Sequence, residues 1–325
     1  MEQLSTDFKK AVADRLLNLI SERQSINHAF YKFYGVSADN CLKLRLGRIG
    51  QVKMRDTEWL RLGRKLELDC FNTKWKMART DVFNTIEEDV LFCKEHAKAK
   101  ICVDECGIGK TFAGKYLAAS LPNCFYVDGS QAKTVRDFTR LLAKVIHLDE
   151  ISKIDELKQD IKCYLKMIDK PIVIIDEAGD LPRSALQEIK GYWNATEGYC
   201  GWYLMGADGL KVIIERGIKK RTPGFKEIFS RFSERYTTTV PAYKPERLLF
   251  YRKLITDVLA ANGVEGALID KIAARCLVQT ADGQISGLRR AESLLLLFNN
   301  QNMITNGNEE ESACIEEIEG EAVVC

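Results

Sequence analysis

From residue 99 onward, short runs of consecutive apolar residues alternate with longer stretches whose apolar positions recur every three or four residues. Unbroken aliphatic runs suit strands buried on both faces of a parallel sheet, and the amphipathic stretches between them suit crossover helices. Ala99–Val103, Cys124–Val127, Ile172–Ile175 and Gly201–Gly206 read as strands, and Phe112–Ser120, Thr134–Leu148 and Ile151–Ile168 as helices. This order predicts an α/β fold, a parallel sheet with helices on both faces. After Leu248 the pattern is helical throughout, over Leu248–Asn262, Ala267–Val278 and Ser286–Phe298. Gly263 suits the end of the first of these and Ser286 the cap of the last, which predicts a small all-helical C-terminal lid.

The first part of the chain reads differently. Residues 1–20 carry Phe8, Val12, Leu16, Leu19 and Ile20 on one side of a helix, and Ile26–Tyr34 is a second helical candidate. Gly35-Val36-Ser37 then forms a turn, and Ser37 or Asp39 can cap a third helix through Leu46. Helix, turn and short helix is the outline of a helix-turn-helix, which would turn Lys43, Arg45 and Arg48 toward DNA. Three-helix domains of other purpose share this outline, and the leucines of residues 38–48 fit plain core as well. Met54–Leu68, with Trp59, Leu60, Leu62 and Leu66, closes this domain, and Trp75–Lys98 leads into the sheet with its first helix. The expected division is 1–78 for the helical, helix-turn-helix-like domain, 79–244 for the α/β core and 245–304 for the lid. Residues 305–325 form an acidic tail expected to be disordered.

Between the first strand and its helix lies Asp104-Glu105-Cys106-Gly107-Ile108-Gly109-Lys110-Thr111. Strand, Gly-rich loop, Gly-Lys-Thr and helix make a phosphate-binding loop, although Asp104 stands where that pattern begins with Gly. Cys106, Gly107, Ile108, Gly109, Lys110, Thr111 and Phe112 would wrap the nucleotide, their backbone N–H groups facing the phosphates. Lys110 would reach the β- and γ-phosphates and the Thr111 hydroxyl would hold Mg2+. Gly-Lys-Thr alone also fits an ordinary helix start. The third strand weighs against that, because it runs directly into Asp176 and Glu177. Carboxylates there project into the crevice where such sheets bind ligands. Asp176 would hold Mg2+ through water, and Glu177 would act as general base on the attacking water. ATP and Mg2+ are the cofactors this pair of motifs predicts.

Composition adds limits. The chain has 325 residues, 46% hydrophobic and 29% charged, as expected of a globular protein. No apolar run approaches the roughly 20 residues that cross a bilayer, and no signal-peptide pattern opens the chain, so a cytoplasmic protein without membrane contact is expected. Eleven cysteines without a Cys-x-x-Cys pair, beside three histidines, argue against zinc and for reduced thiols. Cys106 in the loop is either a reactive thiol or a passive loop residue. The net charge of +2 hides segregation: Cys41–Arg79 holds 11 Lys/Arg against 4 Asp/Glu, Lys211–Arg247 holds 10 against 4, and residues 301–325 hold seven glutamates and no base. Clustered bases apart from an acidic tail suit an anionic polymer as partner; a solvated basic face is the alternative.

Ser230-Arg231-Phe232 resembles the Ser-Arg-Cys/Phe motif of AAA+ ATPases, and Gly287-Leu288-Arg289-Arg290 resembles their sensor-2 motif. That resemblance implies that Arg231, or Arg235, reaches the nucleotide of a neighbouring subunit and that Arg289 lies near the γ-phosphate. It also implies a polar sensor-1 residue after the Leu204 strand, for which Asp208 is the candidate. Tyr203-Leu204-Met205-Gly206, Arg221-Thr222-Pro223-Gly224-Phe225 and Ile228-Phe229-Ser230-Arg231 are similar to the Mu-type transposition protein B family, related to the Tn7-type regulator ATPases. The likeness covers roughly residues 85–300 well and the first 75 in outline. It implies an ATP-dependent homo-oligomer, filament or ring, on double-stranded DNA of largely arbitrary sequence, with a transposase as partner. Lys133, Arg136, Lys219, Lys220 and Arg221 are then the candidates facing DNA. A helicase-loader or replication-initiator ATPase shares most of these features. An operator-binding nucleotide switch would instead put specificity in the first 75 residues.

Overall fold

The computed structural model describes residues 6–22, 36–66, 75–148, 152–278 and 285–298. They fall into two compact units, residues 1–75 and 76–325.

In the second unit, five strands form one parallel sheet in the order β2-β3-β4-β1-β5. They are β1 Ala99–Val103, β2 Cys124–Asp128, β3 Ile172–Asp176, β4 Gly201–Gly206 and β5 Tyr236–Thr237. Every residue of β3 and β4 is buried, as the unbroken apolar runs predict. Side chains still alternate between two cores. Ile101, Val103, Val173, Ile175, Trp202 and Leu204 pack with Phe138, Leu142, Ile161 and Ile189 on one face. Cys102, Ile172, Ile174, Tyr203 and Met205 pack with Phe83, Ile86, Val90 and Leu117 on the other. Each such aliphatic side chain contributes on the order of 1.5–3 kcal/mol through burial. Burial also pushes the thiols of Cys93, Cys102 and Cys124 up to about 12, which makes them inert core residues.

Helices α4 Asp81–His96, α5 Lys110–Ser120, α6 Val135–Val145, α7 Ile154–Met167, α8 Arg183–Ala195, α9 Asp208–Lys219 and α10 Phe225–Arg231 connect and cover the strands. The elements expected from the sequence did not include α8, α9, α10 or the two-residue β5. The Thr80 and Thr134 hydroxyls cap α4 and α6 by accepting from the backbone N–H groups of Phe83 and Asp137.

The segment expected to form the lid consists of α11 Lys244–Ala261, α12 Gly266–Leu277 and a helix α13 over residues 288–298, within the same compact unit as the sheet. Gly263, at φ +78°, ends α11 as expected, with Gly263 and Val264 donating back to Ala260 and Leu259. α13 starts at residue 288 rather than at Ser286, whose N–H donates instead to the Cys276 carbonyl.

In the first unit, α1 Thr6–Glu22, α2 Ala38–Arg45 and α3 Asp56–Lys65 enclose Val12, Leu16, Val36, Cys41, Leu44, Trp59, Leu62 and Leu66. The helix expected at residues 26–34, the side chains of Leu19, Ile20 and Leu60, and the acidic tail lie outside the described residues. Ser37 caps α2, accepting from the Asn40 N–H. Lys43, expected to face DNA, instead turns along its own helix to pair with Asp39 at 2.5 Å, while Arg45 and Arg48 are exposed.

One buried polar cluster ties the second unit together. The Asp89 carboxylate on α4 accepts from Lys100 of β1, Tyr203 of β4 and Thr237 of β5. A buried carboxylate is tolerated only when its oxygens are satisfied, and here the partners come from three neighbouring strands. Asp89→Ala leaves all three without an acceptor. It should lower the unfolding free energy by about 3 kcal/mol or more, read as a lower urea midpoint with unchanged slope.

Candidate functional site

The loop between β1 and α5 is built by its glycines and held by its acids. Gly107 and Gly109 adopt φ +75° and +101°, where a side chain would strain the backbone. Between these turns and β1, the Lys110 side chain folds back under the loop. Its ammonium is buried and donates to the carbonyls of Asp104 at 2.8 Å and Glu105 at 2.6 Å. Ile108 is buried beneath the loop, whereas Cys106, Thr111 and Phe112 are exposed.

Asp104, the departure from the usual motif, has a definite task. One carboxylate oxygen accepts from the backbone N–H groups of Thr239 and Val240 and from the Thr239 hydroxyl; the other accepts from the N–H of Glu105. Residues 239–240 belong to the segment joining β5 to the lid, so the first residue of the loop is tied to that segment. Glu105 continues the connection, accepting from Arg247 at 2.8 Å and Tyr251 at 2.6 Å, both on α11. A third tie comes from α13: the Leu288 N–H donates to the Gly107 carbonyl at 2.7 Å. The approach is so close that a Cβ on Gly287 would stand 2.5 Å from the Gly107 oxygen, which explains glycine at this position. Arg289 follows Leu288, and a Cβ on Gly107 would meet the Arg289 side chain at 4.0 Å.

At the end of β3, Asp176 is buried, accepting from the Tyr126 hydroxyl at 2.8 Å and the N–H of Glu177. Tyr126 lies on β2 directly opposite Ile174 in register. No sequence pattern points to this role. Glu177 takes φ +46°, an uncommon conformation for a residue with a side chain and one that gathers at functional sites. Its carboxyl is held above the ordinary carboxylate range, chiefly by burial and then by Asp176 and Asp180, while Lys110 and Arg289 pull it back. Lys110, Asp176, Glu177 and Arg289 therefore share one electrostatic environment at the mouth of the loop.

Among the described residues no three His, Cys, Asp or Glu side chains form a metal cage. The donor types, the Asp176 carboxylate and the Thr111 hydroxyl, nevertheless suit Mg2+, which favours oxygen donors, keeps several waters and leans on substrate phosphates.

Arg231 makes its contacts elsewhere. Its guanidinium donates to Asn194 at 2.5 Å and to the Glu227 carbonyl at 2.9 Å, and lies over the Trp193 ring. Arg235 is exposed ahead of β5, and Asp208 is exposed in the first turn of α9. Lys133 and Arg136 are exposed at the start of α6, and Lys219, Lys220 and Arg221 at the end of α9. The following turn is pinned to α8, because the Pro223 carbonyl accepts from Arg183 and Gln187.

Residues 93–214 match the family model described as AAA domain. No curated protein sequence matches the chain. Similar solved structures include the Aeropyrum pernix ORC1 protein in complex with DNA, at 13% identity and TM-score 0.46, covering 67% of this chain and 58% of that one. The Thermotoga maritima RuvB Holliday junction branch migration motor matches at 16% identity and TM-score 0.38, covering 70% and 63%. NtrX from Brucella abortus in complex with ATP matches at 13% identity and TM-score 0.42, covering 80% and 60%. The chain thus spans less than two thirds of each of these. The AAA-domain match encloses the phosphate-binding loop and the Asp176 strand, and the five-stranded parallel sheet flanked by helices is consistent with a P-loop AAA+ fold.

Asp104→Gly restores the usual motif and should nonetheless weaken the protein. It removes a charged acceptor from three donors of residues 239–240 and should lower the unfolding free energy by about 3 kcal/mol, measured by urea denaturation. A variant as stable as the parent would show that the carboxylate is dispensable to the loop.

Proposed function

We propose that this chain is an Mg2+-dependent AAA+ ATPase that assembles with ATP on duplex DNA of largely arbitrary sequence and delivers that DNA to a transposase. The observation that supports this reading is the phosphate-binding loop folded over the buried Lys110, together with the buried Asp176 and the positive-φ Glu177 at the end of β3. In this reading Lys110 exchanges the carbonyls of residues 104 and 105 for β- and γ-phosphate oxygens, and Arg289 approaches the γ-phosphate from the lid. Glu177 takes a proton from the attacking water, and the upward shift of its carboxyl makes it a stronger base than an ordinary carboxylate. Thr111 and Asp176 would hold Mg2+, which neutralises charge developing on the phosphates. Arg231 acts on the nucleotide of a neighbouring copy, which links hydrolysis to assembly.

The DNA half of the proposal rests on the exposed Lys133, Arg136, Lys219, Lys220 and Arg221. The transposase rests on the resemblance of residues 203–231 to the Mu-type family. Negative-stain microscopy with non-specific duplex DNA tests the reading. Filaments or rings should form with ATP and vanish with ADP, and Glu177→Gln should keep them intact in ATP. Single copies on DNA in every nucleotide state would refute assembly and favour a loader or switch.

The acid limb of the ATPase pH profile gives a second check. Because Glu177 must be ionised to act, the limb should lie above the ordinary carboxylate range. Arg289→Ala removes a charge that lowers the Glu177 pKa, so the limb should move to higher pH. An unmoved limb would separate Arg289 from Glu177.

A further inference from the structure

We propose that the outer face of α6 is a track for the phosphate backbone of duplex DNA, with Arg140 and Lys144 extending the contact begun by Arg136. This inference rests on the DNA-binding reading above and adds two residues to it.

Helix α6 buries Phe138, Thr139, Leu142 and Ala143 and turns Arg136, Asp137, Arg140 and Lys144 to solvent. Asp137 is engaged at the helix start, its carboxylate accepting from the Thr134 hydroxyl and its N–H donating to it. What remains on the outer face is a row of three cations at four-residue spacing, about 6 Å per step and about 12 Å in all. Lys133 prolongs the row ahead of the helix. None of the ion pairs among the described residues includes Arg136, Arg140 or Lys144.

Like charges four residues apart repel one another and weaken a helix. The neighbouring α7 carries a similar row, Lys158, Lys162 and Lys166, but there each cation has a partner: Lys158 pairs with Glu188, Lys162 lies over the Tyr192 ring and Lys166 over the Tyr199 ring. No ion pair among the described residues uses the row on α6, and an anionic rod is the partner that turns its repulsion into attraction. Each strand of B-DNA offers a phosphate about every 3.4 Å of axis, so a straight row of this length stays against backbone charge throughout. Such contacts carry no sequence information, as required for binding arbitrary DNA. The turn that leads to α6 packs against the end of β3. Gly129, in the turn after β2, approaches the carbonyls of Asp176 and Glu177 so closely that a Cβ there would lie 2.9 Å from both.

The test compares the full-length parent with the double variant Arg140→Ala/Lys144→Ala, by anisotropy of a labelled non-specific duplex between 50 and 200 mM salt with an ATP analogue. Loss of two phosphate contacts should flatten the salt dependence by about two counterions, so that over this range the parent loses about twelvefold more affinity than the variant. DNA-stimulated ATPase should fall with it, while ATPase without DNA stays as in the parent. Thermal stability should be equal or higher, since repulsion is relieved; a drop would mark the row as structural and overturn the proposal. Parent-like affinity and salt slope in the variant would overturn the track alone. A parent that binds ATP but no duplex would overturn the DNA-binding reading as well. Competition by polyglutamate as effective as by unlabelled duplex would assign the row to an acidic polypeptide and also overturn it.

Discussion

A buried ammonium satisfied by two backbone carbonyls is the constraint around which the candidate site is arranged. Lys110 can lie beneath the loop only because the peptides of Asp104 and Glu105 turn their oxygens inward. Those peptides are fixed in turn by their own side chains, Asp104 on residues 239–240 and Glu105 on Arg247 and Tyr251. The loop is thus shaped in advance, and its positive charge is held by neutral acceptors. Phosphate oxygens are charged acceptors and bond an ammonium roughly twice as strongly, so exchanging one set for the other favours the nucleotide without refolding the loop.

The same ties make the lid part of the loop. Residues 104, 105 and 107 are each bonded to a different piece of the C-terminal half: the strand-to-lid segment, α11 and the start of α13. Each of these is a direct hydrogen bond, so a shift of the loop on phosphate is passed to the lid at three points. Arg289 closes the circle, since it stands next to Gly107 and within electrostatic range of Glu177.

How much of this was legible in the sequence depended on the range of the interactions involved. The strands through residue 206 follow from local apolar runs, and Lys110, Asp176 and Glu177 follow from motifs that sit at strand ends. β5 is two residues long and leaves no period to detect. Helix α8 carries a legible period, its buried Ala185, Leu186, Ile189 and Tyr192 lying on one helical face, whereas the seven-residue α10 is too short to show one. Asp104 looked like a defect in the motif because its partners lie 135 residues downstream. Tyr126 reads as one more aromatic in a strand; only the register of β2 against β3 puts its hydroxyl on Asp176.

Under the proposed function Arg231 acts from outside its own copy's site, and its seat in this chain suits that task. A guanidinium carries five N–H donors, and here one goes to Asn194 and one to the Glu227 carbonyl, with the plane resting on Trp193. The group is therefore held in orientation while donors remain for a further partner. Trp193 and Asn194 end α8, whose first residue, Arg183, follows Asp176 by one short turn. The seat of the arginine is thus carried on the helix that leaves the Asp176–Glu177 strand. A packed helix transmits displacement as a rigid element, so a change at Glu177 can reorient the surface that a second copy would meet.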